Sequence, residues 1–467
     1  MYKAYITKLI NVRKHPNADR LQLGECFGNT VCVDMTYSDG QTGIYFPSDG
    51  QLSVEFAEAN NLLRKKDENG NNIGGYMDPE KRNVKAIKLR GEKSDGLFLP
   101  LKSLEPFGDI STLKVGDTIT VFNGHEICTK YIPRTNHRQH TGGGNRTRKK
   151  KVPVAPLFME HADTEQLNYN LSAFHPGDLI EITLKMHGTS QRTAYLPVFK
   201  GYKRNLKDRL LRREGTPVYD WGYVSGTRRT VLEDYDGGYY GSNKFREPHS
   251  KFFEGKLLKG EEVFYECVGF TDNGTPIMPP GDNKKVDRMN GDKEFSKQYG
   301  PTTVFSYGCD PKGYLVNSED AAPQSDIYVY RMTMTNEDGD VVEYTPDYMR
   351  YRCEQMGVKC VPLLYRGIIP DQPWKPIDND DGISFMCENC SVGEWVKNKA
   401  EEYFDGPDPI GKTHIREGVV VRIVNRPKFT AYKTKNIYFK ILEGIIKESA
   451  ASADMEEAEE LAEASDS

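Results

Sequence analysis

The chain has 467 residues, 28% of them charged and 11% aromatic, with 43 Gly and 26 Pro. That composition predicts about two or three turn-rich globular domains and excludes a mostly disordered chain, and no apolar run approaches the ~18 residues of a membrane helix. The formal net charge of −5 is unevenly spread: residues 448–467 hold eight acids and no base, and leaving them out turns the balance to +3.

In chain order, the N-terminus MYKAYITKLINVRKHPNADR lacks the apolar core of a signal peptide. Nine cysteines in this length do not make a disulfide framework, so the expectation is a cytoplasmic chain with reduced thiols. Residues 1–132 read as strand-rich. Ala4–Ile10 alternates in part, Thr30–Val33 is a β-branched run and Asp117–Phe122 alternates again, with turn clusters such as Ser38-Asp39-Gly40 between them. Short strands punctuated by Gly, Asn and Asp predict a small barrel or sandwich. Residues 133–154 predict a Gly-rich linker, with seven Arg or Lys and no acid between Pro133 and Lys151. Arg146, Arg148, Lys149, Lys150 and Lys151 are its candidate contacts to a polyanion, against the plainer role of a spacer.

Residues 155–447 predict a larger unit that mixes strands with a few helices. In Ile180–Thr189, period two puts Ile180, Ile182, Leu184 and Met186 on one face and Glu181, Thr183, Lys185 and His187 on the other. Lys185 then ends a buried strand, just ahead of a glycine that permits close backbone approach, which makes it a candidate nucleophile. Glu262–Val268 predicts a second buried strand carrying Glu266, and Thr345 and Pro346 open a helix. Ile415–Ile423 predicts a third buried strand, with Glu417 near its start, and Tyr432–Asn436 a fourth, with Lys433 and Lys435 on one face. Buried charges are paired or hold ions, so these strands imply one shared polar site. Several lysines with two carboxylates suit a nucleotide phosphate and a divalent metal. Residues 448–467 predict an acidic tail, disordered or a solvated helix.

Lys185-Met186-His187-Gly188-Thr189 resembles the K-x-H-G-T nucleophile motif of bacteriophage RNA ligase 2-like enzymes, within the covalent nucleotidyltransferase superfamily of RNA ligases, DNA ligases and capping enzymes. Further segments resemble the family's other motifs in the family's order. Ser225–Arg229 is similar to the motif with a substrate-contacting arginine, which matches Arg228. Glu266 is similar to the ribose-contacting acid. Asp326–Tyr330 resembles the strand whose aromatic stacks on adenine, with Tyr328 matched and Tyr330 beside it. Glu417–Arg422 is similar to the motif whose Glu organises the metal, and Lys433–Asn436 to the one whose lysines contact phosphates. His15–Leu21 and Ile87–Pro100 are similar to an N-terminal OB module, an order that resembles the Deinococcus-type RNA ligase.

The resemblance implies an α+β fold: an N-terminal OB-type β-barrel (1–132), then a nucleotidyltransferase, ATP-grasp-like ligase domain of antiparallel sheets with flanking helices (155–447). It implies ATP and Mg²⁺, with Mn²⁺ an alternative, and RNA as partner, at nicked or broken duplexes. The implied activity is ligation of 3′-OH and 5′-phosphate ends through lysyl-AMP and RNA-adenylate. Lys185, Glu417, Lys433 and Lys435 would be catalytic, with Glu417 at the metal. His187, Gly188, Thr189, Arg228, Glu266, Tyr328 and Tyr330 would bind nucleotide. Lys85, Lys88 and Arg90 are the candidate groove contacts of the N-terminal module. A DNA ligase, a capping guanylyltransferase and a non-catalytic RNA-binding protein are the alternatives.

Two departures stand out. DNA ligases and capping enzymes carry an acid where His187 stands and an arginine where Ser190 stands, which leaves the role of Ser190 open. The stretch from Gly269 to Asp326 is longer than the motifs require and predicts an insertion. Cys387 and Cys390 with Cys353 and Cys360 would make a four-cysteine zinc site of unusual spacing, a reading set aside.

Overall fold

A computed structural model of the chain describes residues 2–66, 72–131, 153–159, 161, 164–211, 213–228, 231–232, 235, 243–314, 322–376 and 387–448. The basic candidates Arg146, Arg148, Lys149, Lys150 and Lys151, and the acidic tail beyond Glu448, lie outside them. The chain forms two compact units. The first gathers the N-terminal segment, the segment Gly281–Thr303 and the helix Ile437–Glu448. The sequence predicts one catalytic stretch over 155–447, yet two parts of that stretch cluster with the N-terminal segment. The reason is apolar: Phe439, Ile441, Leu442, Ile445 and Ile446 are buried, and Leu442 lies so close to Gly281 that a Cβ there would sit 2.4 Å from its Cδ1.

In this first unit, β1 (Ala4–Lys8), β2 (Ile10–Lys14), β3 (Leu21–Cys26), β4 (Asn29–Asp34), β5 (Thr42–Phe46), the hairpin β6 (Ala86–Leu89) and β7 (Glu92–Asp95), β8 (Leu97–Pro100) and β9 (Thr118–Ile119) pair antiparallel. One sheet has the order β8-β5-β1-β9 and another β2-β3-β4. Period two sends Ala4, Ile6, Ile44 and Phe46 into a core with Phe56, Leu99 and Phe107. Among the described residues the ladders do not close into the expected barrel. Asn11 takes a positive φ of 53°, and the register shifts between Ile10 and Arg13, so β2 leaves the line of β1 instead of extending its ladder.

The second unit contains two antiparallel sheets. Its strands are β10 (Leu179–Lys185), β11 (Thr189–Lys203), β12 (Thr216–Gly226), β13 (Glu261–Gly269), β14 (Ser325–Thr335), β15 (Val341–Glu343), β16 (Leu363–Ile368), β17 (Gly418–Ile423) and β18 (Thr430–Lys435). The first sheet runs β18-β17-β10-β16, with Glu165–Gln166 added parallel to β18 at the edge; the second runs β12-β11-β13-β14-β15. As the alternation predicts, Ile180, Ile182, Leu184 and Met186 are all buried. Ile180 and Ile182 meet Val419, Val421 and the helix Val392–Phe404 through Trp395, Val396 and Ala400. The helix predicted at Thr345 spans Pro346–Met356, and the Thr345 hydroxyl accepts the Tyr348 N–H at 3.3 Å. Glu181, on the opposite face of β10, is tied by Arg350 at 2.7 Å and Arg366 at 2.9 Å, so its buried charge has two partners. No helix among the described residues is long and apolar enough to cross a membrane.

Ile182 is fully buried at the centre of this core. Ile182→Ala is expected to lose about 2–4 kcal/mol of stability through lost contact and the cavity left behind, read as a lower denaturant midpoint with an unchanged slope.

Candidate active site

Lys185 closes β10. Register across three antiparallel strands sets it in one row with Gly418 of β17 and Lys435 of β18. Glu417, just ahead of β17, directs its carboxylate to both lysines: Oε1 lies 2.7 Å from Lys185 Nζ and 3.1 Å from Lys435 Nζ. The other oxygen, Oε2, lies 3.7 Å from His187 Nδ1. Glu417 is 1% exposed, against 22% for Lys185 and 15% for Lys435, so the acid lies beneath and the ammoniums reach outward. Lys433 is half-buried on the same face of β18 as Lys435, and it stands opposite Val420. Around Glu417 the lysines outnumber the acid, which suits a phosphorylated ligand. Gly418 allows this spacing, since a Cβ there would fall 2.0 Å from the Thr434 carbonyl oxygen.

The turn Met186-His187-Gly188 carries the chain from the first sheet to the second. The His187 N–H donates to the Tyr307 hydroxyl at 2.7 Å, and the Gly188 N–H donates to Glu266 Oε1 at 3.1 Å. Gly188 has no room for a side chain: a Cβ would meet the Cys267 carbonyl oxygen at 2.4 Å and Glu266 Cγ at 2.8 Å. In the second sheet Ser190, Glu266 and Tyr328 are aligned across β11, β13 and β14. The Ser190 hydroxyl lies 3.1 Å from that of Tyr330, which gives the position its partner. Burial, with Asp326 beside it, pushes the Tyr328 hydroxyl above its ordinary range, and Lys359 Nζ lies 5.6 Å from the centre of its ring.

The structure thus brings together Lys185, His187, Glu417 and Lys435 directly, and ties Gly188 to Glu266. Thr189 starts β11, where its hydroxyl accepts from Arg246 Nη2 at 2.6 Å. Arg228 follows the edge strand β12 by two residues, with β11 between it and the strand of Glu266. Lys85, Lys88 and Arg90 belong to the first unit. Of the four cysteines of the zinc reading, Cys353 is buried and Cys360 and Cys390 are half-buried, while the side chain of Cys387 lies outside the described residues.

Several site residues carry no signal in the sequence. Arg246 is fully buried and also donates from Nη1 to the Ser190 carbonyl at 3.1 Å, holding the first residues after the turn. Tyr307 and Phe305 come from the long stretch after Gly269 and hold His187, one at its backbone N–H and the other at its ring. Phe305 meets His187 edge-on at 4.5 Å, and His414 lies against Phe305 at 5.2 Å and Tyr307 at 4.6 Å. Burial, then the nearby His187, pushes His414 down to about 4, and burial pushes Asp408 up to about 7. The Asp408 N–H donates to the His414 carbonyl at 2.8 Å, so the two groups share one loop.

No family model and no curated protein matches the chain. Solved structures of the RNA ligase of Naegleria gruberi share its fold. A lysine-to-alanine variant with ATP and Mn has a TM-score of 0.51 at 14% identity, covering 94% of this chain and 98% of the other. The same ligase with PPi gives 0.52 at 16% identity over 93% and 96%. A second lysine-to-alanine variant with ATP and Mn gives 0.51 at 15% over 94% and 97%.

The loop predicts an unusual pH response. Asp408 keeps its proton in the fold up to about pH 7, so its contribution to stability is full below about pH 4 and is lost as pH rises. His414 stays neutral in the fold down to about pH 4, so its contribution is full above about pH 6.5 and is lost as pH falls. Between those limits the two slopes oppose each other. Asp408→Asn is expected to expose the histidine's slope, with stability rising by about 1.4 kcal/mol per pH unit relative to the parent. Unfolding measured from pH 4 to 6.5 checks this; equal slopes in variant and parent would contradict it.

Proposed function

We propose that the chain is an ATP-dependent RNA ligase that joins 3′-OH and 5′-phosphate ends at nicks or breaks in duplexes. The observation that carries the reading is the buried Glu417 carboxylate shared by Lys185 and Lys435, at the end of a strand whose next turn is held by Glu266. The ATP, PPi and Mn named for the N. gruberi structures support a nucleotide and a divalent metal here.

In this reading Lys185 loses a proton, and its nitrogen bonds to the α-phosphorus of ATP as the bond to pyrophosphate breaks. The AMP passes to an oxygen of an RNA 5′-phosphate, and Lys185 is freed. An RNA 3′-OH then attacks that phosphorus, loses its proton and expels AMP, which completes the phosphodiester. Each step is a phosphoryl-type transfer, governed by alignment and charge neutralisation. Lys433 and Lys435 face the phosphates, Glu266 the ribose, and Tyr328 and Tyr330 the adenine, with Arg228 toward the substrate. The donor set fits Mg²⁺ or Mn²⁺: Glu417 is a single buried carboxylate, and such ions keep waters and phosphate oxygens as their other ligands. When bound, the metal supplies charge neutralisation at the phosphates. The first unit, read as the OB-type module, holds the RNA. A cytoplasmic setting belongs to the same reading, and no disulfide joins two of the described cysteines.

Incubation with α-labelled ATP or GTP and Mg²⁺ tests this directly. Wild type is expected to take a covalent label from ATP alone, and Lys185→Ala none. Label from GTP would redirect the reading to capping chemistry, and no label from either would end it. Tyr307→Phe, which takes the hydroxyl from the His187 N–H, is expected to slow labelling about ten-fold while the chain stays folded.

A further inference from the structure

The β6–β7 hairpin of the first unit is a concentration of charge that the nucleotide chemistry leaves unexplained. Lys88 of β6 stands directly opposite Lys93 of β7. Like charges facing each other across a ladder repel, so the pair needs something to offset it. Part of the answer is internal: both ammoniums lie over the ring of Tyr438, at 5.7 Å and 5.0 Å from its centre. Phe295 stacks on the same ring at 6.4 Å and 30°. The ring is therefore an anchor that holds two positive charges side by side.

The neighbouring elements add bases and withdraw acids. The helix Asn283–Asn290 lies against β6 and against the helix Ile437–Glu448, and exposes Lys284, Lys285 and Arg288. Arg90 is exposed at the hairpin turn. Of the acids in these elements, Glu92 is half-buried and lies by period two on the other face of β7 from Lys93, and three others are engaged locally. Asp95 Oδ2 lies 2.5 Å from Lys440 Nζ. Asp282 caps the helix through the N–H groups of Lys284 and Lys285, and Asp287 accepts from the Ser296 N–H at 3.1 Å. Among the described residues no large exposed apolar side chain falls in β6, β7 or the helices at 283–290 and 437–448, and an anionic membrane surface would want one to insert.

We propose that this face binds the phosphodiester backbone of RNA, with Lys88 and Lys93 as the paired phosphate contact, Tyr438 as their positioning residue and the basic helix extending the track. Cations spread over a hairpin and a helix fit an extended polyanion better than a single phosphate. The proposal rests on the ligase reading for the identity of that polyanion. It also gives the long stretch after Gly269 a role, since that stretch supplies Phe295 and the basic helix.

The test uses the full chain and a short nicked RNA duplex bearing a 5′-phosphate at the nick, with binding titrated over a range of salt concentrations. Lys88→Gln/Lys93→Gln is expected to raise Kd about ten-fold and to flatten the slope of log K against log salt by about two. Tyr438→Leu, which keeps both lysines but frees them, is expected to raise Kd by about three-fold. Labelling by α-labelled ATP is expected to stay within about two-fold of wild type in both variants, as neither touches the nucleotide. A double variant that labels normally and binds RNA with unchanged Kd and slope would overturn the proposal. So would loss of binding to phosphatidylserine vesicles with RNA binding intact. If wild type takes no label while the RNA titrations behave as expected, the ligase reading fails and this surface stands.

Discussion

The second unit is organised around one buried carboxylate. Glu417 is almost wholly removed from water, and a charge in that position persists only with cationic partners at hydrogen-bond distance. Lys185 and Lys435 supply them through the same oxygen. Their placement follows from the sheet: β10, β17 and β18 run in register, and Gly418 sits in the row between the two lysines. A side chain at Gly418 would strike the Thr434 carbonyl oxygen and force β18 outward. The ion triad and the strand spacing are thus one constraint, and a site built on paired strands is held more tightly than one on loops.

A second consequence is a division of labour between sheets. The first sheet carries the lysines and Glu417; the second carries Ser190, Glu266 and Tyr328 in a row. Three residues, Met186 to Gly188, join them, and two backbone N–H groups of that turn are fixed by side chains from elsewhere, Tyr307 and Glu266. A short connection with both amides satisfied leaves the turn little freedom, so Lys185 on one sheet and the row on the other keep a fixed relation.

The strands were legible in the sequence because they obey period two. Ile180 to Met186 alternates cleanly, and its apolar members are all buried. Lys433 and Lys435 share a face for the same reason. Glu266 and Glu417 stood out as acids within apolar runs, which a core tolerates only with partners. Other features were illegible on physical grounds. Tyr307 and Arg246 act through hydrogen bonds to residues 120 and 56 positions away in the chain, and local pattern carries no trace of such pairings. Whether the N-terminal ladders close was not legible, because alternation predicts strands and not the closure of their ladders. The positive φ at Asn11 turns β2 out of line, and Asn is only one of several residues that tolerate that conformation.

The assignment of Gly281–Thr303 and Ile437–Glu448 to the first unit has a consequence in chain connectivity alone. The chain returns to the second unit at Val304, and soon after come Phe305 and Tyr307, which contact His187. It leaves again after Asn436, the residue that follows Lys435. Asn436 is buried; its N–H donates to the Glu417 carbonyl at 2.9 Å and its side-chain amide to Asp405 at 2.6 Å. Both crossings therefore lie within a few residues of partners of His187 and Glu417, and at one of them a single asparagine with two hydrogen bonds separates Lys435 from the helix that begins at Ile437. The backbone between Lys435 and that helix is therefore fixed at Asn436 by a bond to Glu417 and a bond to Asp405, so the last residue of the strand is held from both its neighbours in the site.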